Sequence, residues 1–155
     1  MPSIGAIVVA LLIALAVGML VRKIGRSIGL WMRRNAMVSV IAKGDLQTVS
    51  EYLDDGVDPN GRVEGKIPFL ECAARGGHIG IIHLLLDRGA DINGSNEWGM
   101  TALSAAAREG KVDAVRALLA RGADRRIADS TGYTALQAAQ ERKHAAIVQL
   151  LSALM

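Results

Sequence analysis

The chain has 155 residues, a formal net charge of +3, one cysteine, and a composition that is 51% hydrophobic but only 3% aromatic. That length suits roughly one domain, and a lone cysteine excludes an internal disulfide. Scarce rings point to a core of many thin Leu, Ala and Val contacts, as stacked helices make, and no basic face interleaved with aromatics marks the body as a nucleic-acid binder.

The charge is unevenly placed. Residues 1–34 hold Arg22, Lys23, Arg26, Arg33 and Arg34 and no acid, while the rest carries 13 basic and 15 acidic residues, net −2. Residues 3–21, SIGAIVVALLIALAVGMLV, contain no charge. As a helix they would measure about 28 Å, enough to cross a hydrocarbon core. Only Met1 and Pro2 precede them, without the basic start of a cleavable signal peptide, so an uncleaved anchor is expected. The bases that follow predict an N-terminus outside and a cytoplasmic body, in a plasma (inner) membrane crossed once. Ala6, Ala10, Ala14 and Gly18 recur every four residues, a small-residue stripe that lets another transmembrane helix approach.

In RKIGRSIGLWMRRNA, residues 22–36, Arg22, Arg26 and Arg33 lie on one helical face and Ile24, Ile28 and Trp31 on another. A segment at headgroup level is expected, with Arg22, Lys23, Arg26, Trp31, Arg33 and Arg34 against membrane lipid. Gly25 and Gly29 leave a loose basic linker as the alternative.

From residue 36 onward the chain repeats itself every 33 residues. Leu70, Leu103 and Leu136 hold this step, as do Gly44, Gly77 and Gly110; Gly56, Gly89 and Gly122; Asp58, Asp91 and Asp124; and Val49, Ile82, Val115 and Val148. Within one unit, TALSAAAREG (101–110) reads as a short helix closed by glycine. KVDAVRALLARGAD (111–124) reads as a second helix with Val112, Val115, Leu118 and Leu119 on one face. The polar stretch RRIADSTGY then leads to the next unit. Such a unit cannot bury its apolar face alone and must stack on its neighbours as a solenoid.

The pattern resembles the ankyrin repeat, carried by GHIGIIHLLLDRGADIN (77–93), GMTALSAAAREGKVDAVRALLARGAD (99–124) and GYTALQAAQERKHAAIVQLL (132–151), with KGDLQTVSEYLDDGVDPN (43–60) as an N-terminal half repeat. The resemblance implies an all-α ankyrin-repeat solenoid, helix pairs joined by β-hairpin-like loops, preceded by one transmembrane helix. The expected organisation is a membrane helix over 1–22, a juxtamembrane segment over 23–35, and an array over 36–155, divided as 36–61, 62–94, 95–127 and 128–155. Departures from the pattern are Lys143 in the glycine column, RVEGKIPF (62–69) in place of the usual hairpin, Arg126 where Asn60 and Asn93 stand, and the apolar end Leu154–Met155.

Chemistry is sparse. His78 and His144 sit in a column that the family uses to tie helices to loops, His83 is on a second helix, and no His/Cys spacing suits a metal. Ser104 and Ser130 lack a His and Asp at plausible spacing. Cys72 reads as a buried thiol. No enzyme, cofactor, metal site, small-molecule substrate or nucleic-acid partner is expected. The resemblance implies instead a protein partner met by hairpin tips and first-helix surfaces. In register these are Glu64 and Ile67; Glu97, Trp98 and Met100; Ser130, Thr131 and Tyr133; and on the helices Arg75, Gly76, Arg108, Glu109, Glu141 and Arg142. Trp98 stands out, because tryptophan and arginine dominate interface hot spots; folding back on its own hairpin is its alternative. Two functions follow: a membrane-tethered adaptor or inhibitor binding a protein through its concave cytoplasmic face, or a small accessory subunit docked through the Ala6/Ala10/Ala14/Gly18 stripe.

Overall fold

The computed structural model describes residues 4–153, with the side chains of residues 4–14, 18, 21, 22, 24 and 26 outside the description. Helix α1 (Ile4–Lys43) is a single 40-residue element. It runs through the apolar stretch, the basic segment and the first residues of the array, so residues 23–35 are helical rather than a loose linker. A glycine in a helix interior costs only about 1 kcal/mol relative to alanine, and Gly25 and Gly29 are flanked by good helix formers. Further along, packing holds α1 in place. Met37 and Ile41 are fully buried, Leu30, Val38 and Val40 pack on the same core, and Arg33 Nε meets Asp55 Oδ2 at 3.0 Å.

Among the described residues no helix is long and apolar enough to cross a membrane. Most of the stretch expected to span one, including the Ala6, Ala10, Ala14 and Gly18 stripe, lies outside the described side chains, as do those of Arg22 and Arg26; Leu15, Val17, Met19 and Leu20 within it are exposed. Leu154 and Met155 also fall outside the described residues. Of the remaining residues expected at the headgroups, Lys23, Trp31 and Arg34 are exposed, whereas Arg33 is engaged by Asp55.

The array follows as helix pairs: α1 with α2 (Leu46–Asp54), α3 (Phe69–Gly76) with α4 (Ile79–Asp87), α5 (Ala102–Arg108) with α6 (Val112–Ala120), and α7 (Ala135–Glu141) with α8 (Ala145–Ser152). Alanines explain the closeness of the first helices. Residues 102–107 of α5 are all buried, because α5 lies between α3 and α7 and methyl side chains let neighbouring axes approach to the short end of about 8–10 Å. The second helices supply the bulk, with Ile82, Leu85, Val115, Leu118, Ile147 and Leu151 in the core.

The loops are hairpin-like, as expected. Strands β1 (Arg62–Val63) and β2 (Ile67–Pro68) pair antiparallel, and the later loops keep single bridges, Ser95 to Thr101 and Ala128 to Thr134. The divergent stretch RVEGKIPF does have its own shape. Glu64 and Gly65 both take positive φ, 49° and 75°, as the two central residues of the tight turn that Lys66 N closes on the Val63 carbonyl at 2.8 Å. Asparagines fasten loop to loop: Asp91 N donates to Asn60 Oδ1 at 2.7 Å and Asp124 N to Asn93 Oδ1 at 2.9 Å. Arg126, standing in that column, instead donates back to Asp124 from Nε and Nη2, both at 3.0 Å, and this holds the Asp124 carboxyl down at about 2.

Candidate functional site

The hairpin tips and the first helices enclose a groove of about 490 Å³. Its walls are set by two turns of one design. In the first, Asn96 Oδ1 accepts from Trp98 N at 2.9 Å and Met100 N at 3.0 Å, which shapes the turn around Gly99, whose φ is +77°. In the second, Asp129 Oδ1 accepts from Thr131 N at 2.9 Å, Thr131 Oγ1 at 2.6 Å and Tyr133 N at 3.0 Å. The hydroxyl of Thr131, more than any other group, holds the Asp129 carboxyl below its ordinary value. Ser130 N donates to the Trp98 carbonyl at 2.8 Å, so the tips are tied to each other. Asx-type turns of this kind are a local property of Asn and Asp.

Beneath the first turn lies Glu71, fully buried. Its Oε1 accepts from Asn96 Nδ2 at 3.1 Å and lies 3.8 Å from Arg75 Nε, while its Oε2 has no partner. Burial raises this carboxyl above its ordinary value, against the pull of Arg75 and Asn96. Next to it, burial and then the Glu71 charge push the Cys72 thiol up to about 11, which leaves it protonated and a poor nucleophile. Thr101 caps α5 by accepting from Ser104 N at 3.3 Å, so the hydroxyls of Thr101 and Ser104, both buried, serve the helix start.

The groove brings together Arg75, Trp98, Met100, Arg108 and Tyr133 from the expected set. Trp98 is 51% exposed, and Tyr133 41%. Met100 differs from an exposed tip residue. It is 8% exposed and forms floor rather than rim, because its N–H is turned inward to Asn96. Ile67, Glu97, Glu109 and Arg142 lie elsewhere: Ile67 pairs with Val63 in the first hairpin, Glu97 Oε1 meets Lys66 Nζ at 3.2 Å, and Glu109 and Arg142 terminate α5 and α7. Residue-by-residue reading missed Asn96, Asp129 and Glu71. The first two carry a signal, an Asn or Asp three residues before a glycine, 33 apart; Glu71 carries none, since only stacking buries it.

The histidines are structural. His144 Nε2 is 3.0 Å from the Arg108 carbonyl, His78 lies over Gly44, and His83 Nδ1 is 3.4 Å from Arg121 Nη1. Among the described residues no group of three or more His, Cys, Asp or Glu could hold a metal ion.

The arrangement is a rigid, mixed aromatic and charged surface, suited to holding another chain. No curated protein matches this chain. The family model for ankyrin repeats, in three copies, matches residues 73–154, which hold the end of α3, α4 to α8 and the groove. The helix pairs, the hairpin loops and this match agree: the chain belongs to the ankyrin-repeat family, whose arrays are protein–protein interaction modules.

Proposed function

We propose that this protein is a membrane-tethered adaptor or inhibitor that binds a protein partner through the groove between its hairpin tips and first helices. The observation that carries the reading is Trp98. A side chain of that size, half in water on a backbone fixed by Asn96 and Ser130, is a preformed anchor whose burial against a partner needs little ordering. The tether rests on the uncharged residues 3–21 and the five bases after them, with the array cytoplasmic and the membrane a plasma (inner) membrane. Because α1 is continuous from Ile4 to Lys43, no loop separates the apolar stretch from the first repeat, and the groove is held near the bilayer, where its effective concentration toward surface partners rises.

The test is mild-detergent affinity purification of the full-length protein from its own membranes, beside Trp98→Ala and Ala10→Leu variants, with mass spectrometry of the co-eluting proteins. A soluble partner lost with Trp98→Ala and kept with Ala10→Leu supports the adaptor reading. Loss of integral membrane proteins with Ala10→Leu alone would overturn it and make the chain an accessory subunit docked through the Ala6/Ala10/Ala14/Gly18 stripe.

A further inference from the structure

The first helices place one charged column along the groove. Arg75, Arg108 and Glu141 are successive members of the 33-residue register, near or at the ends of α3, α5 and α7, and all three line the groove. Packed helices lie about 8–10 Å apart, so these residues form a row with steps of about that length, in the order positive, positive, negative.

Two acids stand beside the row, Glu71 and Asp129, and the Arg108 charge helps hold the Asp129 carboxyl below its ordinary value. Arg108 and Glu141 have no ion-pair partner within 4.0 Å among the described residues, and the acid beside Arg75 is Glu71, at 3.8 Å. Glu71 is fully buried and spends Oε1 on Asn96. Asp129, on the tip wall, has its Oδ1 occupied by three donors of its own turn. Trp98 and Tyr133, on the tips, and the buried Met100 line the same groove as the row.

The geometry points to a partner segment that lies extended in this groove, with two acidic side chains three residues apart, a basic side chain three residues further on, and apolar side chains between them on Trp98 and Tyr133. Extended in the polyproline II conformation, with three residues per turn and about 3.1 Å per residue, such a chain returns to the same face every three residues and covers about one helix-to-helix step, which brings the acids to Arg75 and Arg108 and the base to Glu141. The inference rests on the groove being the binding surface, and adds what the groove selects.

It is tested with the full-length protein in detergent and fluorescein-labelled heptapeptides read by anisotropy: Glu-Thr-Val-Glu-Leu-Thr-Lys, the same residues in reverse order, and the charge-swapped Lys-Thr-Val-Lys-Leu-Thr-Glu. One of the two acid-acid-base peptides should bind at least about 10-fold more tightly than the swapped one, a difference of about 1.4 kcal/mol. Arg108→Glu should weaken it about 10-fold, and replacing the central Glu of the peptide by Lys should restore binding to that variant. Equal binding of matched and swapped peptides, all lost with Trp98→Ala, overturns the charge pattern and leaves the groove reading standing. Charge-selective binding that survives Trp98→Ala and Arg108→Glu overturns both. No binding of any peptide up to about 1 mM overturns the charge pattern, while the affinity purification decides the groove reading independently.

Discussion

The repeats at 95–127 and 128–155 share a sequence design but not an environment. In the first, residues 101–107 are buried without a gap, with α3 on one side and α7 on the other. In the second, α7 packs on α5 and α8, and Leu136, Gln137, Gln140 and Glu141 are half-buried or exposed where their counterparts Leu103, Ser104, Ala107 and Arg108 are buried or half-buried. The same column therefore carries different energetic weight in the two repeats. In a solenoid, stability is a sum of repeat terms and nearest-neighbour interfaces, and among the described residues the repeat at 128–155 has one interface instead of two.

The largest test of that difference uses one column at two depths. Leu103→Ala, at a site 1% exposed, should cost about 3 kcal/mol in urea denaturation, and Leu136→Ala, half-buried in the last repeat, about 1 kcal/mol. Equal losses would show that the end repeat is as tightly packed as the middle one.

The glycine column offers a change of opposite sign in the same two repeats. Gly110 takes φ +71°, and a Cβ there would lie 2.7 Å from His144 Cε1, so Gly110→Ala should cost about 2 kcal/mol from left-handed strain and displacement of that ring. Lys143 occupies the equivalent place with φ +60°. Strain is then its main cost, and Lys143→Gly should raise stability by about 0.5–1 kcal/mol in the same titration. A destabilised Lys143→Gly would mean that the lysine side chain makes contacts that outweigh its backbone strain.

Glu71 probes the interface between the first and second full repeats by pH. Burial raises its carboxyl above the ordinary 4.5. A raised acid contributes stability that is fully present below the unfolded value and is lost as pH rises through the folded one. Wild-type stability relative to Glu71→Gln should therefore fall as pH climbs from about 4.5 toward neutrality, read as urea midpoints at matched pH; a constant difference would refute the assignment.

The smallest effect is a rate. With its thiol at about 11, Cys72 should react with a disulfide reagent at pH 8 about 100-fold more slowly in the folded protein than in urea. The background of Leu103→Ala should accelerate that labelling, because the substitution loosens a helix packed directly on α3, and Leu136→Ala should leave it nearly unchanged.

Much of the fold was legible because a 33-residue period is redundant information. Any one column could mislead, but leucine, glycine and aspartate columns in a common register admit only stacked helix pairs. The left-handed glycines are equally local, whereas the Asn60 and Asn93 bonds depend on the neighbouring loop. Legibility stopped where burial depends on neighbours. Met100 reads as a tip residue by position and becomes floor once its N–H turns to Asn96; Glu71 reads as a surface acid on a short helix and is enclosed only when the next hairpin closes over it. The basic stretch 22–36, with two glycines, admitted either a helix or a linker, and packing of its C-terminal continuation, Leu30, Met37 and Ile41, favours the helix.

By itself, then, the sequence determined the period, the helix pairs, the turn positions and the separation of an uncharged, base-flanked N-terminal stretch from a mildly acidic array, because these depend on residue type at short range. Only the tertiary structure decided which side chains share the groove, that Met100 is buried beside an exposed Trp98, and that Glu71 is enclosed. Those outcomes depend on how adjacent repeats stack, and stacking is a property of pairs of repeats that no single repeat encodes.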